Sequence, residues 1–151
     1  MKKQLTIALV AHDRRKQDMV EWALENAGFL SQHYLVCTGT TGHLIDEAFQ
    51  EENISAHITC MHSGPLGGDV EIAAKVVRKE INLAVFLIDD LNAQPHEADI
   101  QMLLRQCRIH NVPIACNRYS ADLMITSSLW DNDSYQPSEP KYIYFDRDKI
   151  E

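Results

Sequence analysis

The chain has 151 residues, of which 22 are acidic and 14 basic, so its formal net charge at pH 7 is −8. This length suits one domain spanning residues 1–151 with a core of its own, and the acidic balance without a basic stripe argues against nucleic acid or an anionic membrane as a partner. The sequence shows no secretory segment and no apolar run long enough to cross a bilayer, so we expect a soluble, cytoplasmic protein.

Short apolar runs alternate with helical stripes along the chain. A continuous apolar run is typical of a parallel strand that is covered on both faces, and apolar residues three and four positions apart predict a helix. The predicted strands are 5–11, 33–37, 58–61, 83–88 and 112–116. The predicted helices run from Lys16 to a stop at Gly28, over 44–49, 72–77 and 100–107, and from a cap at Ser120 to Ile125.

Five strands that alternate with helices through connections of ordinary length define the expected fold. They predict an α/β protein with a doubly wound, five-stranded, mainly parallel sheet and helices on both faces. After Trp130 the pattern fades, and residues 142–145 are predicted to add a short edge element.

Every predicted strand is followed by a polar or glycine-rich cluster. These clusters are His12 with Asp13, residues 38–42, residues 63–69, residues 89–99, and Asn117. In open α/β sheets ligands bind beyond the carboxyl ends of the strands, where the strand order reverses. Each cluster alone has an ordinary explanation as a connector, but their shared position predicts one catalytic pocket at this edge of the sheet.

Two glycine-rich turns at this edge, residues 38–42 and 63–69, offer donors for an anion. Backbone N–H groups of such turns, threonine hydroxyls and a lysine ammonium are suited to a phosphate group. The candidate phosphate contacts are Lys16, Thr38, Thr40, Thr41, Ser63 and Gly64. The alternative is that Lys16 is a solvated surface residue and that the threonines are ordinary helix caps.

The same clusters carry candidate acid and base groups. These are Asp69, Asp89, Asp99, His12 and His96. For Asp69 and Asp99 the alternative is a capping role at a helix start, whereas His12 and His96 follow strands beside carboxylates, where a tuned imidazole is useful. His57 and His62 are interpreted as structural or surface residues.

The cysteines and histidines do not predict a metal centre. Cys37, Cys60, Cys107 and Cys116 are widely spaced and form no CxxC pair, so neither a zinc site nor a redox motif is expected. The seven histidines show no metal-ligand spacing either. We therefore expect buried cytosolic thiols and no metal.

Several collinear stretches resemble the methylglyoxal synthase family. They are residues 7–13 with Lys16, residues 38–42, residues 63–69, residues 91–96 with Asp99, and residues 111–115 with Asn117. Together they span residues 5 to 125, so the resemblance is far more specific than a single glycine motif. It implies a lyase that converts dihydroxyacetone phosphate into methylglyoxal and phosphate without a cofactor, usually as a homohexamer, with phosphate also acting as an inhibitor.

The resemblance also implies roles for particular residues. Asp69 matches the family's catalytic base, His96 matches the histidine that handles protons on the enediolate oxygens, and Asp99 lies close to it. The phosphate contacts match Lys16, Thr38, Thr40, Thr41, Ser63 and Gly64, while His12 and Asp13 match residues that line the pocket. Asp89 matches a further aspartate of the pattern, and Arg147 is aligned with a family arginine that reaches a neighbouring subunit.

The sequence departs from the family pattern at two places and leaves other functions open. Asp90 replaces an expected proline, which makes the role of Asp89 less defined, and the C-terminal segment around Arg147 matches poorly. A non-catalytic domain of the same fold that senses an anion needs Lys16 and the threonines but not the acid–base set. A flavodoxin-like receiver or flavin carrier accounts for acidic strand ends but not for the second glycine-rich turn or His96.

Overall fold

The computed structural model describes residues 3–142 and shows strands alternating with helices as far as Ile125. The strands are β1 (Thr6–Ala11), β2 (Tyr34–Cys37), β3 (His57–Cys60), β4 (Leu83–Leu87) and β5 (Ile114–Ala115). The helices are α1 (Lys16–Glu25), α2 (Ala27–Leu30), α3 (Gly39–Glu51), α4 (Gly68–Val77), α5 (Glu97–Ile109) and α6 (Arg118–Ile125). Short 3₁₀ turns cover Asp13–Arg15, Gly64–Leu66 and Ser128–Asp131. The predicted edge element at 142–145 lies outside the described residues, apart from its first position.

The five strands form one sheet in the order β3-β2-β1-β4-β5, and every pair is parallel. The predicted doubly wound α/β fold is therefore confirmed, with a sheet that is wholly rather than mainly parallel. Strand β1 is central, because its Leu9 is in register with Cys37 of β2 and with Val85 of β4. The strand order reverses between β1 and β4, which is where a doubly wound sheet opens a crevice at its carboxyl edge.

Successive side chains along the strands point to opposite faces of the sheet and belong to two separate hydrophobic cores. Ile7 and Leu9 of β1 belong to the core beneath α1, α2, α3 and α6, whereas Ala8 and Val10 belong to the core beneath α4 and α5. Because both faces are covered, β4 is apolar along its whole length and β1 is apolar after its first residue, Thr6, as expected for covered parallel strands. Each large side chain buried in these cores stabilises the fold by about 1.5–3 kcal/mol.

Residues 38–42 differ from the predicted turn. Thr38 is the N-cap of α3, and the following residues already form the first turn of that helix. The helix starts early because it packs closely on β3: a Cβ atom at Gly42 would lie 2.5 Å from Sγ of Cys60. The glycine here permits close packing rather than a turn.

The last helix also differs from its prediction. Ser120 does not cap α6, because the N-cap is Asn117, whose side chain accepts a hydrogen bond from the Ser120 backbone N–H at 2.8 Å. Asparagine is as good an N-cap as serine, and it comes directly after the last strand. The helix therefore begins at Arg118, three residues earlier than a cap at Ser120 implied.

Candidate active site

A cleft of about 120 Å³ opens at the carboxyl edge of the sheet, above the end of β1. The predicted site residues that line it are His12, Asp13, Lys16, Thr38, Thr40, Ser63, Gly64, Asp69 and His96. Pro65, Gln94 and Pro95 complete much of the wall. Thr41, Asp89 and Asp99 do not line the cleft, and Arg147 lies outside the described residues.

Asp69 and His96 form the buried centre of the cleft. Asp69 lies in the first turn of α4 and His96 is the N-cap of α5, and their side chains are only 1% and 8% exposed. His96 Nε2 is 3.3 Å from Asp69 Oδ2. Among residues 3–142, neither carboxylate oxygen of Asp69 nor Nδ1 of His96 has a hydrogen-bond partner. Buried polar atoms are normally paired, so this arrangement is typical of a site that acts on a ligand.

The surroundings of Asp69 raise the pKa of its carboxyl group. Burial is the main cause, and the negative charge of Asp99 acts in the same direction. His96 and Lys16 oppose the shift without cancelling it. A carboxylate with a raised pKa is a stronger base than an exposed aspartate, so the fold converts a weak base into a useful one.

Gly64 lies against this pair and leaves no room for a side chain. A Cβ atom at this position would lie 2.9 Å from Nε2 of His96 and 3.3 Å from Oδ1 of Asp69. The close approach requires glycine, and it brings the backbone of the 3₁₀ turn Gly64–Leu66 directly to the acid–base pair.

His12 presents a neutral hydrogen-bond donor to the cleft. Its Nδ1 accepts the backbone N–H of Asp89 at 2.9 Å, so the proton of the neutral ring is on Nε2. Burial, with the neighbouring His96 and Lys16, lowers the pKa of His12 below its ordinary value. Among residues 3–142 its buried Nε2 has no hydrogen-bond partner. The ring packs edge-on against His96, at 5.5 Å between centroids, and so belongs to the same constellation.

Lys16 brings a positive charge to the end of β1. Its Nζ donates to the Ala11 carbonyl at 2.7 Å and to Asp13 Oδ1 at 3.0 Å, and its side chain is 15% exposed. An ammonium group has three N–H donors, so one remains for a ligand. Because Asp13 is almost fully exposed, its ion pair with Lys16 is weak and does not neutralise the site.

The three threonines occupy different positions around the start of α3. Thr38 and the exposed Thr40 line the cleft, whereas Thr41 is buried. Thr41 Oγ1 lies 3.4 Å from the Ala11 carbonyl and 3.4 Å from Thr38 Oγ1. Thr41 follows Thr40 by one residue in the helix, so its side chain points away from the cleft. It therefore supports Thr38 and the end of β1 from their buried side.

Asp89 and Asp99 act on the site from behind its wall. Asp89 Oδ1 accepts from the Leu91 backbone N–H at 3.2 Å and its carboxylate also accepts from the Asn92 amide, so the side chain is used to fold the loop. Its backbone N–H holds His12. Asp99 lies in the first turn of α5 and contributes through its charge on Asp69.

One contact behind the site was not predicted from the sequence. Glu71 Oε1 accepts the backbone N–H of His62 at 2.8 Å and approaches its ring Nδ1 at 2.7 Å. His62 is exposed, as predicted, but this ring contact gives it a partner. The only sequence signal was an acidic residue in the first turn of a helix, two positions after Asp69, and such residues are too common to single out.

Within residues 3–142 no three His, Cys, Asp or Glu side chains come together as metal ligands would. No helix in the same range has the length and apolar character needed to span a membrane.

Fold and site together define a doubly wound α/β protein in which anion-binding donors surround a buried acid–base pair. The model of the MGS-like domain family matches residues 18–116. A methylglyoxal synthase of Treponema socranskii is 70% identical over 151 residues, covering 100% of this chain and 96% of the relative. One of Coxiella burnetii (strain RSA 493 / Nine Mile phase I) is 46% identical over 136 residues, covering 90% and 91%.

The structure has a solved counterpart of similar extent. The crystal structure of methylglyoxal synthase from Elizabethkingia anophelis NUHP1 superposes with a TM-score of 0.83 at 36% identity, covering 97% of this chain and 93% of the other. The chain belongs to the methylglyoxal synthase family and is an enzyme of the lyase class.

Proposed function

We propose that the chain converts dihydroxyacetone phosphate into methylglyoxal and inorganic phosphate. The observation that carries this proposal is the buried pair of Asp69 and His96, which face each other at 3.3 Å inside a cleft lined by anion-binding donors. A cleft that only binds phosphate has no use for a buried carboxylate, because its charge opposes the ligand. A base and a proton donor beside an anion site are what an elimination from a phosphorylated ketone requires.

The phosphate group of the substrate binds at the end of β1 and the start of α3. Lys16 supplies the positive charge, Thr38 and Thr40 supply hydroxyl donors, and the backbone N–H groups of Ser63 and Gly64 close the other side. Thr41 acts indirectly, since it supports Thr38 from the buried side. His12 donates its Nε2–H to a substrate oxygen without adding a charge.

The first chemical step is proton abstraction from C3 of the bound ketone. Asp69 takes the proton, and the electron pair of the broken C–H bond forms the C2–C3 double bond of an enediolate. Negative charge then develops on the C2 oxygen, where His96 and the neutral His12 donate hydrogen bonds. The raised pKa of Asp69 favours this transfer, because it brings the base closer in strength to the carbon acid.

The second step is loss of phosphate from C1. His96 takes the proton of the C3 hydroxyl, and the C3 oxygen forms the aldehyde C=O bond. The electron pair of the C2–C3 double bond forms a C1–C2 double bond, while the C1–O bond breaks and its electron pair leaves with the phosphate. His96 returns the proton to the C2 oxygen, the resulting enol exchanges its hydroxyl proton for one on C1 and becomes methylglyoxal, and Asp69 releases its proton to solvent. The overall reaction consumes no water and no oxidant.

Elimination requires the C1–O bond to stand perpendicular to the enediolate plane, so we propose that Thr40 and Ser63 set this torsion as well as the affinity. Replacing Thr40 by alanine is then expected to lower the ratio of phosphate release to substrate proton exchange; an unchanged ratio contradicts the torsional role.

Turnover assays decide between the enzyme and the anion sensor that shares this fold. Purified protein is incubated with dihydroxyacetone phosphate, while trapped methylglyoxal and released phosphate are measured in parallel. The proposal predicts the two products in equal amounts. Saturable phosphate binding without either product would instead indicate a sensing domain.

We further propose that residues 1–151 act as one domain, in a cytoplasmic homohexamer that binds neither nucleic acid nor a cofactor. Family resemblance supports the hexamer, and the exposed apolar side chains of Leu66, Leu91 and Tyr119 are of the kind that an assembly covers. In such an assembly Arg147 would couple phosphate binding between subunits through Asp13. Light scattering after gel filtration tests the hexamer, and unchanged phosphate cooperativity in Arg147→Ala would contradict the coupling.

A further inference from the structure

The peptide groups of His62 connect the two walls of the cleft. The His62 backbone N–H donates to Oε1 of Glu71 in α4 at 2.8 Å, and the His62 carbonyl accepts the N–H of Gly39, the first residue of α3, at 3.1 Å. Helix α4 carries Asp69, and the first turn of α3 carries Thr40. One residue is therefore hydrogen-bonded on one side to the wall with the base and on the other to the wall with the threonine donors.

The residues that follow His62 are the anion-binding turn itself. Ser63 and Gly64 come next in the chain, and the Ser63 carbonyl accepts the N–H groups of Leu66 at 3.0 Å and Gly68 at 2.9 Å. These hydrogen bonds fix the far end of the turn. The near end depends on His62, because the N–H of Ser63 belongs to the same peptide group as the His62 carbonyl.

The Glu71 carboxylate is well suited to hold that near end. The hydrogen bond from the His62 backbone N–H, with a second from the His62 ring, lowers the pKa of Glu71 below its ordinary value. The carboxylate is therefore charged at neutral pH and accepts strongly. Its ring contact joins two side chains that are 69% and 38% exposed, so that contact alone is weak. The backbone hydrogen bond is the part that constrains the turn.

We propose that Glu71 is a positioning residue that fixes the anion-binding turn through the backbone N–H of His62. This inference rests on the proposed function, in which the Ser63 and Gly64 N–H groups hold the substrate phosphate. Without Glu71, water replaces the lost acceptor, so the fold is retained. The turn then samples orientations that do not bind phosphate, and affinity falls by the fraction of time spent in them.

Three substitutions at this contact and one control separate positioning from general stability. Glu71→Ala removes the acceptor, Glu71→Gln keeps a side-chain oxygen for the His62 N–H, and His62→Ala removes only the ring. The matched control is Glu80→Ala, because Glu80 is an exposed glutamate that follows the other end of α4 and pairs with Arg78 and Lys75. The dissociation constant for inorganic phosphate is measured by calorimetry, with KM, kcat and the thermal midpoint measured in parallel.

Glu71→Ala is expected to weaken phosphate binding and raise KM by about three- to tenfold, while kcat changes by less. Glu71→Gln, His62→Ala and Glu80→Ala are expected to bind phosphate within about twofold of the unmodified protein. Wild-type affinity in Glu71→Ala overturns the proposal, as does an equal loss in Glu71→Gln or in Glu80→Ala. The calorimetric comparison needs no turnover, so a chain that makes no methylglyoxal would refute the proposed function and leave this test intact.

Discussion

His96 Nε2 lies 3.3 Å from Asp69 Oδ2, although 26 residues separate the two side chains in the sequence and each stands at the start of a different helix. Helices α4 and α5 pack on the same face of the sheet, which brings their first turns together at its carboxyl edge. The pair is thus a product of topology. Burial of the pair raises the pKa of Asp69, so the strength of this base depends on its surroundings.

The pH profile of the reaction is expected to depend on Asp99. The base works when Asp69 is ionised, so kcat/KM falls as the pH drops through its raised pKa, above the ordinary aspartate value of about 3.9. Because the Asp99 charge contributes to raising that pKa, Asp99→Asn is expected to shift the acid limb to lower pH. Profiles of kcat/KM against pH for both proteins measure the shift.

The plateau of the same profile distinguishes two roles for Asp99. If Asp99 acts only through its charge on Asp69, the plateau rate of Asp99→Asn falls by less than about tenfold. If Asp99 itself transfers a proton, the plateau falls by about a hundredfold or more. Since Asp99 does not line the cleft, we expect the smaller effect.

Asp69→Asn is expected to stabilise the fold at neutral pH. The pKa of Asp69 is higher in the folded chain than in the unfolded chain, where it is about 3.9, so the ionised carboxylate costs stability at pH values above the folded pKa. This cost disappears as the pH falls below the unfolded value. The variant should be more stable by about 1–3 kcal/mol near neutral pH and by much less near pH 4. Urea unfolding at the two pH values measures this, and a less stable variant at neutral pH would refute it.

His12 is expected to stay neutral down to a lower pH than an ordinary histidine. Burial lowers its pKa from the ordinary value of about 6.5, and Nδ1 is occupied by the Asp89 N–H. Stability associated with neutral His12 is thus present above that value and is lost as the pH falls through the lowered pKa. Nitrogen NMR should show an Nε2–H tautomer and a low titration midpoint. An Nδ1–H tautomer would contradict the geometry.

Gly64→Ala is expected to reduce kcat by about tenfold to a hundredfold, because displacing a reacting group by an ångström has effects of this order. The added Cβ would lie 2.9 Å from His96 Nε2, so the ring must move. Gly28→Ala is the matched control: no heavy atom lies within 4 Å of a Cβ there. The control should keep its activity and gain about 0.5–1 kcal/mol of stability from reduced backbone freedom. Equal kcat values in the two variants would show that activity does not require the absence of a side chain at position 64.

The sheet could be predicted from the sequence because burial on both faces makes parallel strands such as β4 continuously apolar. The start of α3 could not, since the glycine pattern of residues 38–42 is shared by turns and by closely packed helix starts. Whether these residues form a turn or a helix start depends on the close packing of Gly42 against Cys60, which is a contact between distant segments. The prediction of Ser120 as the N-cap was wrong for a local reason, because Asn117 takes the N-cap position of α6 instead.

Much of the cleft could also be predicted, because strand-end clusters meet at one edge whatever the side-chain details. The orientation of single residues could not. Thr41 belongs to the same cluster as Thr40, yet it faces the Ala11 carbonyl, and helix phase decides between the two. Asp89 holds His12 through its backbone N–H and not through its side chain, so no residue pattern in the sequence predicts this contact.

The measurement that tests the account most directly compares Asp69→Asn with the unmodified protein. Methylglyoxal and phosphate formation from dihydroxyacetone phosphate are followed together, and phosphate binding is measured on the same samples. Formation of both products is expected to fall by about a hundredfold or more, as for loss of a general base, while phosphate affinity is retained or increased. Turnover within about tenfold of the unmodified protein would show that Asp69 is not the base.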